Sequence, residues 1–86
     1  MNAYMFKTEL CTWVVRQARE PDKWELCWYL PDGNWERSGY YIDPKLAASD
    51  VYRQETGFSD WDMKDSSTIP VEIEGINNWE RVRNYP

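Results

Sequence analysis

From Trp24 to Tyr41 the chain carries two runs of strand-forming residues joined by Pro31-Asp32-Gly33-Asn34, and this hairpin constrains the fold more than any other segment. Lys23 to Leu30 alternates, with Trp24, Leu26, Trp28 and Leu30 on one side and Glu25, Cys27 and Tyr29 on the other. That is the period of a half-buried strand. Pro31 has no N–H to donate, which disfavours a two-residue Asp-Gly loop and favours a four-residue loop, Pro31 to Asn34, with proline at the second turn position. Such a loop sets Leu30 opposite Trp35, Trp28 opposite Arg37, Leu26 opposite Gly39 and Trp24 opposite Tyr41. Trp24, Leu26, Trp28, Leu30, Trp35 and Tyr41 then share one face.

Residues 10–18, rich in β-branched and aromatic types, run into Glu20-Pro21-Asp22-Lys23, a turn composition. A strand is the preferred reading, with Val15 opposite Trp28 and Trp13 opposite Leu30. The competing reading is a helix from Tyr4 to Arg19, because Phe6, Leu10, Trp13, Val14 and Gln17 also fall at helical spacing. Asp43-Pro44 reads as a helix N-cap followed by proline at the first helical position, opening a helix that turns Leu46, Ala47, Val51 and Tyr52 inward and ends before Gly57. Residues 58–68 lack a period and read as a loop, Ile69 to Glu74 as a short strand, and Glu80 to Arg83 as another. The expected fold class is α+β in a single domain over 1–86. A three-stranded antiparallel meander (about 10–18, 23–30 and 35–42) is packed by one helix (about 44–55), with a C-terminal strand or hairpin.

A chain of 86 residues must be held by one small core, and here six Trp, six Tyr and two Phe concentrate the apolar area in a few bulky rings. The net charge of −5 argues against a generic binder of phosphate backbones, so direct contact with nucleic acid is not expected. No apolar window is long enough for a membrane span, and Met1 to Lys7 lacks the pattern of a signal peptide, so the expectation is a cytoplasmic protein. Cys11 and Cys27 could pair in principle, but without a secretory signal they read as reduced small hydrophobes.

Trp24, the Pro31-Asp32-Gly33 turn and Tyr40-Tyr41-Ile42-Asp43 resemble the first half of a WW domain, a three-stranded meander that binds proline-rich peptides. Six residues separate Gly33 from Tyr40, more than that family's second turn has, and its later Trp and Pro are missing. The resemblance is one of hairpin chemistry, and no binding residue is carried across. Asp60-x-Asp62-x-x-Asp65 resembles the opening of an EF-hand loop, but Lys64, Asp65 and Val71 stand where a ligand, the bend glycine and the closing Glu are needed.

With no His in the chain and neither Cys in a nucleophile motif, the expectation is a non-enzymatic protein without catalytic residues, metal or cofactor. Charge is uneven. From Asp50 to Glu80 eight acids (Asp50, Glu55, Asp60, Asp62, Asp65, Glu72, Glu74, Glu80) face only Arg53 and Lys64, a local net of −6. A single-sign surface can steer a basic partner, and in its sharper form imitate a phosphate backbone; it can equally be a solvated face that maintains solubility. Trp61 and Trp79, in polar acidic surroundings outside the meander, have the composition of exposed interface anchors. These ten residues form the expected partner-binding set, and the expected partner is a larger protein with a basic surface. By compositional analogy the chain suits a stoichiometric inhibitor of the kind that phage or mobile elements direct at nucleic-acid machinery. The alternative is a peptide-binding or assembly module using a sheet edge or an aromatic groove.

Overall fold

The computed structural model describes residues 2–20 and 22–86. Its elements run β1 (Ala3–Lys7), β2 (Thr12–Gln17), β3 (Trp24–Tyr29), β4 (Trp35–Tyr41), α1 (Pro44–Tyr52), α2 (Ser59–Asp62), three 3₁₀ turns (Ser66–Thr68, Val71–Glu74, Ile76–Asn78) and β5 (Glu80–Val82). The strands form one antiparallel sheet in the order β4-β3-β2-β1-β5, with α1 packed on it. The fold is therefore α+β as expected, but the sheet has five strands where a meander of three was anticipated. The helical alternative over 4–19 is overturned. Tyr4 and Phe6 alternate with Met5, and a tight turn in which Thr8 and Cys11 bond reciprocally folds β1 back onto β2. The C-terminal strand is present and adds to the outer edge of β1, Ala3 facing Val82.

Both hairpin registers differ from the pattern read in the sequence. Trp13 lies opposite Trp28 and Val15 opposite Leu26, a shift of two residues that leaves every side chain on its anticipated face. The reason is the turn: Ala18 N–H bonds to Lys23 O and Lys23 N–H to Glu20 O, so the loop sits earlier in the chain. Its anticipated centre, Pro21, lies outside the described residues. In the second hairpin Leu26 faces Gly39 and Trp24 faces Tyr41 as expected, but nearer the turn Cys27 faces Arg37, Trp28 faces Glu36 and Tyr29 faces Trp35. Pro31 does hold the second turn position, since Gly33 N–H bonds to Leu30 O. Gly33, however, is left-handed at φ +92° and Leu30 N–H bonds to Asn34 O, which makes the loop three residues long. Ser38 then forms a bulge that restores the register. One residue of slip transfers Trp35 from the core face to the opposite one.

α1 begins as the sequence indicates, with the Asp43 carboxylate accepting from Lys45 N–H and Pro44 following it. It ends three residues earlier than expected. Gln54, left-handed at φ +59°, and Glu55 close a Schellman arrangement on Val51 O and Asp50 O, and Gln54 Nε2 then donates to Trp61 O and Lys64 O. The strand anticipated at Ile69–Glu74 is absent. Pro70 cannot enter a ladder, and Ile69, Ile73 and Ile76 stand at helical spacing and turn inward together from the 3₁₀ segments. The region read as loop over 58–68 contains α2 and a 3₁₀ turn.

The core lies between one sheet face and this 44–79 layer, joining Trp13, Val15, Leu26 and Trp28 to Ala47, Val51, Phe58, Trp61, Ile73 and Trp79. At its centre Trp13 meets Trp61 and Trp28 edge-on at 5.4 and 5.8 Å, and Trp28 stacks on Phe58 at 4.7 Å. Among the described residues the opposite sheet face carries no helix.

Candidate functional surfaces

The ten residues expected to bind a partner separate into three groups. Trp61 and Trp79 are core residues, 1% and 4% exposed, and the expectation of exposed anchors is corrected. Their indole N–H groups donate to Val51 O (2.9 Å) and Ile73 O (2.8 Å), so each ring supplies apolar area to the core and ties down the irregular backbone above it. Asp50, Asp62 and Asp65 are occupied within the layer. Asp50 accepts from Tyr41 Oη (2.8 Å) and Arg53 Nη2 (2.6 Å), and Asp62 gathers Thr56 Oγ1 (2.7 Å) with the Thr56 and Gly57 N–H groups. Asp65 caps the following 3₁₀ turn, and the bonds from Ser67 hold its carboxyl below the usual carboxylate range. Asp60, Glu72, Glu74 and Glu80 are exposed and without ion pairs among the described residues, while Glu55 lies 3.4 Å from Arg53. Asp60, Glu72 and Glu74 belong to the layer over the core face. Glu80 does not join them, since it faces Met5 on the other side of the sheet.

The layer also exposes apolar side chains that its composition concealed. Met63 is 84% and Val71 68% exposed, each within three residues of an unpaired carboxylate.

A second surface, on the uncovered sheet face, was not anticipated. Glu25, on β3 between β2 and β4, is buried and receives Arg16 from β2 (Nε 2.8 Å, Nη2 2.6 Å) and Arg37 from β4 (Nε 2.9 Å). Burial alone would raise its carboxyl pKa; the bonds from Arg16, Cys27 and Arg37 outweigh that and hold it below the ordinary value. Arg16 Nη1 donates to Tyr29 Oη at 2.8 Å, and its guanidinium lies 4.8 Å over Trp35, which stacks on Tyr29. Arg37 and Lys23 both lie over Tyr40, at 5.0 and 5.8 Å. Within β4 the bulge at Ser38 makes this grouping possible: Trp35 and Arg37 precede it and Tyr40 follows it, yet all three emerge on one face. The sequence held a signal for the surface, because Glu25, Cys27 and Tyr29 alternate against the Trp ladder with arginines available on both neighbouring strands.

Both cysteines are free, buried thiols. Burial pushes Cys11 up to about 11, against a weaker opposing bond with Thr8, and pushes Cys27 up to about 12 with the bond to Glu25 adding to it. Native protein at pH 8 is expected to react with a thiol-specific disulfide reagent at least about a hundredfold more slowly than in denaturant, because each unit of pKa cuts the thiolate fraction tenfold. Equal rates in the two conditions would contradict it. Among the described residues no three His, Cys, Asp or Glu side chains are grouped to hold a metal ion, and no helix is long and apolar enough to cross a membrane.

Compared with protein-family models, with curated proteins and with solved structures, the chain gives no match in any of the three.

Proposed function

We propose that this chain is a non-enzymatic interaction protein whose 44–79 layer engages a larger protein with a basic surface. The observation that carries this reading is the pairing of unneutralised Asp60, Glu72 and Glu74 with the exposed apolar side chains of Met63 and Val71 in one layer. Charge of one sign steers and orients an oppositely charged partner, and apolar contacts beside it supply holding energy. The bonds of Asp50, Asp62 and Gln54 fix the layer's irregular backbone, so little ordering is left to oppose binding. A rigid acidic surface of this kind suits a stoichiometric inhibitor of a cytoplasmic protein that handles nucleic acid, with the carboxylates standing where phosphates would lie.

Affinity capture from source-cell lysate at about 50 mM salt is expected to retain a basic protein that elutes as salt approaches about 0.5 M, as screening shortens to a few ångströms. The Glu72→Lys/Glu74→Lys variant should lose it, and Met63→Ala/Val71→Ala should weaken it about tenfold, on the scale of two modest interface contacts. A partner held equally by the charge-reversed variant at high salt would overturn the proposal.

A further inference from the structure

Beside the buried Glu25 is a hollow of about 440 Å³ whose lining includes Arg19, Glu20, Lys23, Glu25, Arg37 and Tyr40. Glu20 pairs with Lys23 at 2.9 Å, and Glu25 is shared between Arg16 and Arg37. Arg19 has no ion pair among the described residues, and Arg37 uses only its Nε, leaving both outer nitrogens unpartnered there on a side chain that is 46% exposed. Three cations and two carboxylates give these walls a net of +1 in a chain of net −5. The Arg37 guanidinium is already oriented by the bond to Glu25 and by Tyr40 beneath it. A planar fork fixed this way loses little entropy on taking a planar two-oxygen acceptor.

We infer that this hollow binds the carboxylate of an Asp or Glu side chain in an acidic segment of another protein, held by Arg37 and Arg19 against the Tyr40 ring. Charge favours a monoanion, because Glu20 and Glu25 in the same walls repel a second negative charge and a phosphate dianion would meet both. The exposed rings of Tyr40 and Trp35 on the same face supply apolar contact for the chain that carries the carboxylate. The site goes beyond the proposed function: it lies on the opposite sheet face from the acidic layer and takes ligands of opposite charge.

The test is a titration of the full chain with acetylated, amidated tetraglutamate, and in parallel with inorganic phosphate, following the Arg37 Nε–Hε and Tyr40 amide resonances. Saturable shifts with the peptide are expected, with none from phosphate over the same range. Arg37→Gln should weaken peptide binding about tenfold or more, the scale of a lost charge-assisted bond, and Arg19→Gln, which leaves Glu25 untouched, should weaken it severalfold. Glu72→Lys/Glu74→Lys should bind the peptide no less tightly, which separates this site from the acidic layer. Absence of shifts at Arg37 and Tyr40, tighter binding of phosphate, native affinity in both arginine variants, or shifts that follow protein concentration alone, as a second copy would produce, would each overturn the assignment.

Discussion

Trp61→Ala is expected to cost about 4 kcal/mol, within the range for truncating a fully buried ring, and to leave the chain largely unfolded at moderate temperature. Trp61 meets Trp13 edge-on at 5.4 Å, so its loss opens a void beside the most central ring of the core. Its N–H also donates to Val51 O at the end of α1, and truncation leaves that carbonyl with the Gln54 N–H alone. Because Gln54 Nε2 reaches Trp61 O and Lys64 O, a disturbed α2 also releases the cap of α1. Urea unfolding and near-ultraviolet circular dichroism measure the effect. Met63→Ala, at an exposed position in the same layer, should stay within about 0.5 kcal/mol of the native chain. A Trp61→Ala loss below about 1.5 kcal/mol would show that the ring is not the keystone described.

Glu25→Ala is the second large effect, expected at about 2–3 kcal/mol. That is below the range for breaking a fully buried pair, because Arg37 is half exposed and can rehydrate. Arg16, only 18% exposed, cannot, and its stack with Trp35 and bond to Tyr29 lose the charge that orients them. The same carboxylate sets a pH dependence whose sign follows from its lowered pKa. In the unfolded chain Glu ionises near 4.3 and in the folded protein below that, so folding favours the charged form. The stabilisation is complete above about pH 5 and is lost as pH falls through the unfolded and then the folded value. Glu25→Gln should flatten this part of the acid limb in denaturant midpoints measured from pH 6 to 2.5; an unchanged slope would remove Glu25 as its source.

The strand pattern of residues 24–30, the Asp43-Pro44 helix start and the C-terminal strand were legible because each rests on a local period or on a residue with one strong conformational demand. The reach of the sheet was less so. Tyr4 and Phe6 alternate over too few residues to separate a strand from the first turn of a helix, and what decides it is pairing with β2 on one side and, from far along the chain, with β5 on the other. Trp61 and Trp79 are buried although their sequence neighbours are polar, because local polarity does not fix exposure. Their neighbours Asp60, Asp62, Asn78 and Glu80 are polar, but a turn of helix directs one residue in three or four inward whatever stands beside it. Ile69, Ile73 and Ile76 already carried that period, and Trp61 with Trp79 complete it from either side of the layer. The arginine–aromatic face was hidden by one residue of loop length, since a four-residue turn puts Trp35 on the core side and the three-residue turn, ending at left-handed Gly33, does not.

The strand order places β1 between β2 and a strand that ends at Val82, so β1 is synthesised well before its outer neighbour. During synthesis the β1–β2–β3–β4 sheet can assemble while the outer backbone groups of β1 still lack a partner, and Trp79, which faces Phe6 at 5.7 Å, has not yet arrived to cover that side. A nascent or C-terminally clipped chain thus presents an open strand edge next to an uncovered aromatic ring, the arrangement that recruits other chains. β5 is only three residues long, but its role is protective: it closes the template on which intermolecular sheets would otherwise grow.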